Sequence, residues 1–98
     1  MNMSKRKYTN EIDVLESWFS HETTVTAKEL VTVHGISDRQ VREIVNYLRC
    51  NGVCVCSSNK GYWLARNEIE IITTINSLKS RVNHIQMAIA GLESVMGE

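Results

Sequence analysis

Apolar residues recur at helical spacing three times in the first half of the chain. Ile12, Leu15, Trp18 and Phe19, with Val14 at the edge, form one helix face, and Thr9 or Asn10 stands before them as a cap. Thr26 followed three residues later by Glu29 is a capping-box pair, so a short second helix is expected from there, turning Ala27, Leu30 and Val31 inward and ending at Gly35. Ser37 with Gln40 repeats the device. It opens a third helix with the stripe Val41, Ile44, Val45 and Leu48, stopped in a left-handed turn by Asn51 and Gly52. The period then changes. Val53-Cys54-Val55-Cys56 reads as a strand, Ser57 to Gly61 as a polar turn and Tyr62-Trp63-Leu64 as a second strand, which together predict a hairpin.

From Asn67, which with Glu70 caps a last helix, the pattern changes again. Ile71, Ile75, Leu78, Val82, Ile85, Ile89, Leu92 and Met96 alternate spacings of four and three without a miss, which is a coiled-coil seam. One position class (Ile75, Val82, Ile89, Met96) is largely β-branched and the other mixes leucine with isoleucine, a choice that leans toward two strands, while Ile71 and Ile85 leave a higher order open. The flanking Lys79, Arg81, Gln86, Ala88 and Glu93 supply no series of opposite-charge pairs, so parallel and antiparallel pairing both stay open. A helix of this length extends about 40 Å and should overhang a body about 25 Å across. A homodimer through this seam is therefore expected; the alternative is a helix folded back on its own domain. The organisation is an arm at 1–8, a domain at 9–66 and a dimerisation helix at 67–98.

Composition narrows the function. The chain has 98 residues and no proline, enough for one domain, and the missing proline favours helices over loop-rich scaffolds. No glycine-rich phosphate loop, histidine pair at metal spacing or nucleophile with a base and a third member is evident, so catalysis is not expected and no cofactor is implied. Cys50, Cys54 and Cys56 are odd in number and too closely set for a good zinc site, and read as reduced, partly buried thiols. Neither a signal-like nor a membrane-length apolar run occurs, so a cytoplasmic location without membrane contact is expected.

The order helix, helix, tight turn, helix, hairpin describes a helix-turn-helix with a wing. Ile36-Ser37-Asp38-Arg39-Gln40-Val41-Arg42 running on to Leu48, then Asn51-Gly52-Val53 and Asn59-Lys60-Gly61-Tyr62-Trp63-Leu64, resembles the winged-helix domain at the N-terminus of biotin operon repressors. It also resembles small winged-helix proteins of bacterial phages and mobile elements. The resemblance covers roughly Thr9 to Ala65. Val31 and His34 depart from it, standing where a small alanine and a packing leucine are usual. The fold class expected is thus mainly α with a small β-hairpin: a winged helix-turn-helix followed by a long coiled-coil helix.

In such a fold the third helix enters a major groove. Opposite its buried stripe lie Asp38, Arg39, Arg42, Glu43, Asn46 and Arg49. Arg39, Arg42 and Asn46 are the candidates for base contact, since arginine reads guanine and asparagine reads adenine with paired hydrogen bonds; Gln40 and Glu43 are secondary. Ser37, Thr26 and Lys28 at helix starts suit phosphates. Asn59 and Lys60 at the hairpin tip, and the arm Lys5, Arg6 and Lys7, suit backbone or minor groove. Lys plus Arg and Asp plus Glu are both 11, a net charge of zero. That zero is a sum over unlike segments. Residues 1–8 carry three positive charges and 36–66 a net three, while 9–25 carry four negative and 67–98 a net two negative. The expected function is a dimeric binder of double-stranded DNA, a transcription or replication regulator of a phage or mobile element. The alternative, favoured by Asp38 and Glu43 among the arginines, is a winged-helix module that binds a host replication or transcription protein.

Overall fold

A computed structural model describes residues 11–97. Helix α1 is described over residues 11–16, α2 is Ala27–His34, α3 is Asp38–Cys50, strand β1 is Val55–Ser58, β2 is Gly61–Leu64 and α4 is Glu68–Met96. The described residues are mainly helical, with a small antiparallel hairpin and a long C-terminal helix. The cap expected at Thr9 or Asn10 and the arm Lys5, Arg6 and Lys7 lie outside the described residues.

Both capping boxes form. Thr26 Oγ1 accepts from Glu29 N–H at 3.1 Å while Glu29 Oε1 accepts from Thr26 N–H at 2.9 Å. Ser37 and Gln40 repeat these two bonds at 3.1 and 2.9 Å. Each box satisfies donors that the first helical turn leaves without partners. Gly35 closes α2 in the left-handed conformation, φ 64°, with its N–H on Val31 O. At the end of α3 the expectation needs correction. Asn51 has φ −101° and only Gly52, φ 85°, is left-handed; the Asn51 amide instead donates to Tyr47 O at 2.8 Å.

Two further boundaries differ from the sequence reading. Helix α1 stops at residue 16, because Trp18 N–H and Phe19 N–H bond to carbonyls only three residues back, Leu15 O at 3.2 Å and Glu16 O at 3.0 Å. This tighter turn sends Phe19 into the core and lays Trp18 flat on His34, ring centroids 3.6 Å apart. The hairpin starts two residues later than expected, since Val53 N–H returns to Leu48 O at 2.9 Å and so belongs to the end of α3. Its register pairs Val55 with Leu64 and Ser58 with Gly61, leaving a two-residue turn at Asn59 and Lys60.

Val25 adds a rung that the sequence reading left unassigned. Its N–H and carbonyl exchange bonds with Tyr62 at 2.9 and 2.8 Å, an antiparallel bridge on the free edge of β2. Gly61 permits this approach. It has φ 134°, and a Cβ there would lie 2.4 Å from Val25 O. The core beneath is Phe19, Leu30, Val41, Val45, Leu48, Val55 and Leu64, each large aliphatic side chain worth about 1.5 to 3 kcal/mol when fully buried.

Helix α4 begins at Asn67, whose side chain accepts from Glu70 N–H at 2.9 Å. Glu70, Thr74 and Leu78 are its half-buried stripe against the hairpin, and every residue from Lys79 to Gly97 is exposed. The helix thus leaves the body after Leu78, and the fold-back alternative does not hold. Its 29 residues span about 43 Å, and the molecule measures 57 × 35 × 31 Å.

Candidate nucleic-acid interface

Helix α3 is fixed by its buried side. Val41, Val45 and Leu48 are 1%, 3% and 0% exposed, which leaves little freedom of rotation. The opposite face carries Arg39, Arg42, Glu43 and Asn46, all exposed. At about 100° per residue, Arg39, Arg42 and Asn46 fall within about 60° of one another around the helix. Three side chains that can read base edges are therefore brought to one face. Arg39 Nε lies 3.6 Å from Glu43 Oε2, an exposed pair of the kind worth at most about 1 kcal/mol. A stronger acceptor can displace it.

The other expected residues divide. Lys28 is exposed on α2, and Asn59 and Lys60 are exposed at the hairpin turn, with the backbone of Lys60 tied to Ser58 Oγ at 3.1 Å. Ser37 and Thr26 spend their hydroxyls as acceptors for their own helices, and Gln40 spends its side-chain oxygen on Ser37 N–H. Gln40 is therefore a capping residue in this fold and holds the start of α3 in place. The seam residues Ile71, Ile75, Val82, Ile85, Ile89, Leu92 and Met96 are 39% to 88% exposed; Leu78 is half-buried.

Arg49 corrects the reading most. It was expected outward, yet its Nε donates to Val55 O at 2.8 Å and its guanidinium reaches Ser57 Oγ at 3.5 Å, so it bolts α3 to β1. Burial, and next the nearby Arg81, push the guanidinium below its ordinary value. A second tie was also missed. Arg66 Nε donates to His21 O at 2.7 Å, and His21 Nδ1 donates to Ala65 O at 2.9 Å, joining the segment before α2 to the end of β2. Glu70 accepts from Arg66 N–H at 2.9 Å and from Trp63 Nε1 at 3.0 Å, and these bonds hold its carboxyl below the usual carboxylate range. Arginine and tryptophan flanking a helix start with a glutamate in its first turn was the available signal.

The three cysteines are free. Cys50 is exposed, Cys54 half-buried and Cys56 buried, so the reading of three partly buried thiols fails at Cys50. Burial pushes the Cys56 thiol up. Among the described residues no group of His, Cys, Asp and Glu is gathered to hold a metal, and no helix is long and apolar enough to cross a membrane. Compared with protein-family models, curated proteins and solved structures, the chain matches none.

Proposed function

We propose that residues 9–66 are a winged helix-turn-helix that binds double-stranded DNA in the cytoplasm, with α3 as its reading helix and the hairpin as its wing. The chain acts as a homodimer through α4, in a regulator of transcription or replication. The observation that carries this reading is the two-sided character of α3: one side sealed into the core, the other presenting Arg39, Arg42 and Asn46 together. Lys28 and Lys60, with the arm Lys5, Arg6 and Lys7, add cations suited to phosphate. The seam, exposed except at the half-buried Leu78, supports the dimer. A half-exposed aliphatic side chain gains on the order of 1 kcal/mol when covered, so the seven exposed seam residues of each chain go most of the way to offsetting the rough 4 to 15 kcal/mol cost of association.

Mobility shift of random and selected duplexes over a salt series tests this reading. Affinity is expected to fall steeply from low to moderate salt as counterions are displaced. Arg42→Ala should flatten preference among sequences, and Lys60→Ala should weaken all sequences alike. No salt-sensitive shift with any duplex overturns the proposal. The Arg39 to Glu43 pair, which gives the α3 surface mixed charge, favours the second reading, a protein-binding module. A stoichiometric protein partner retained after nuclease treatment, with no DNA shift, is the outcome that selects it.

A further inference from the structure

The end of the seam nearest the body is walled by residues outside α4. A groove of about 230 Å³ runs between Gly52, Val53 and Cys54 on one side and Ile71, Thr74, Ile75 and Leu78 on the other, with Arg49 at its rim. Its lining is almost wholly apolar, and it is continuous with the exposed seam through Ile75 and Leu78. A helix that covers this end of the seam therefore also lies against the groove.

We infer that α4 pairs antiparallel with a second copy, so that the partner's last helical turn, carrying Val95 and Met96 of the partner subunit, lies in the groove against Val53 and Cys54. This rests on the dimer proposed above. Two arrangements pair all eight seam residues. In the parallel one each residue meets its own copy. In the antiparallel one Ile71 meets the partner's Met96, Ile75 the partner's Leu92, Leu78 the partner's Ile89 and Val82 the partner's Ile85; sliding by a heptad either way leaves two seam residues uncovered.

The groove separates the two arrangements. Thr74, on its floor, flanks the seam on the side facing the body. In a parallel coil, such a flanking position faces the partner's residue five places further on, here the partner's Lys79. That would put an ammonium over an apolar groove and beside Arg49, a half-buried cation that has no carboxylate within ion-pair distance among the described residues. In the antiparallel coil the same position faces the partner's Val95, an apolar side chain that is 69% exposed in the single chain. The C-terminal end of the partner helix, with its negative dipole end, then approaches the side of the body where Arg49 lies. Apolar and charge complementarity select the same arrangement.

Disulfide trapping in the full chain tests this, with Cys50→Ser as the parent so that Cys54 remains the accessible native thiol. Val95 and Lys79 are both exposed, so cysteine at either leaves the body intact. About 31 Å of helix separates Thr74 from residue 95 of the same chain, so a bond between Cys54 and the new cysteine of V95C must join two copies. Mild oxidation of V95C should convert most of the protein to a covalent dimer whose peptide map shows the linkage from 54 to 95, with little dimer from the parent or from K79C. Trapping by K79C and not by V95C, in protein that sediments as a dimer, overturns the antiparallel arrangement and leaves the dimer standing. Sedimentation of the parent as a monomer at tens of micromolar removes the dimer itself and this inference with it.

Discussion

Gly61 and Gly35 both have positive φ, 134° and 64°, where side chains are rarely found, yet they are not equivalent. A methyl group at Gly35 meets nothing within 4 Å, whereas at Gly61 it would lie 2.4 Å from Val25 O. Gly35→Ala should therefore cost only about 1 kcal/mol of backbone strain. Gly61→Ala must also break the bridge to Val25, a loss on the order of 2 kcal/mol or more. At about 4 to 8 °C per kcal/mol for a domain of this size, thermal melts should place G61A roughly 10 °C below wild type and well below G35A. Equal Tm values for the two variants would show that the bridge contributes nothing. Glu70 gives a pH dependence. Its carboxyl is depressed below the ordinary value of 4.5 by Arg66 N–H and then by Trp63. A group depressed on folding stabilises fully above its unfolded value, and that stabilisation is lost as pH falls through the folded value. Glu70→Gln should thus lower Tm at neutral pH and lose less Tm than wild type between about pH 5 and pH 3. Part of the acid sensitivity should persist, because Glu29 is depressed in the same sense by its bond from Thr26 N–H. Parallel Tm curves for wild type and E70Q across that range would sink the assignment.

Elements whose signals are local were legible in the sequence. Thr26 with Glu29, Ser37 with Gln40, and Asn67 each name a helix start from within four residues, and the structure places all three caps there. The stripes of α3 and α4 were equally plain, since a helix records its environment at every turn. What escaped depends on residues far apart in sequence. Nothing near Val25 says that it will pair with Tyr62, and nothing near Arg49 says that its guanidinium will turn back to Val55 O, because both depend on how α3 sets the hairpin. The β-branched Val53 suggests a strand, but the end of α3 claims its N–H first. That Arg39, Arg42 and Asn46 share one exposed face was legible because it follows from helical phase alone, and the capping role of Gln40 was legible from its place three residues after Ser37. On the proposed function, the Ser37 box also joins stability to reading. Ser37→Ala should cost about 1 kcal/mol, seen as a Tm drop of several degrees, and should weaken specific DNA more than random DNA because the frayed first turn of α3 carries Arg39. Uniform weakening would place the effect in overall stability instead.

At the scale of the whole molecule, the dimeric DNA-binding function proposed above would make the distance between its two reading heads a property of the overhanging α4. In the antiparallel arrangement the two-fold axis crosses the coil midway between Val82 and Ile85. The body is attached at Glu70, Thr74 and Leu78, about ten residues from that axis. Two bodies are then held about 30 Å apart along the coil at 1.5 Å per residue, close to the roughly 34 Å of one DNA turn that separates half-sites on one face of a duplex. A parallel coil would gather both bodies at one end, where the length of α4 sets no spacing. The antiparallel dimer should accordingly select inverted half-sites with centres about one turn apart. Inserting five base pairs between them rotates one half-site to the far side of the duplex, so affinity should drop to that of a single half-site. Inserting ten restores the face but adds another turn of distance, which a rigid coil cannot span, so it should rescue little. Binding-site selection followed by mobility shift on the spaced series measures this directly. Full recovery at ten base pairs would mean that the heads are not held at a fixed separation by the coil, and direct repeats among the selected sites would remove the two-fold axis altogether.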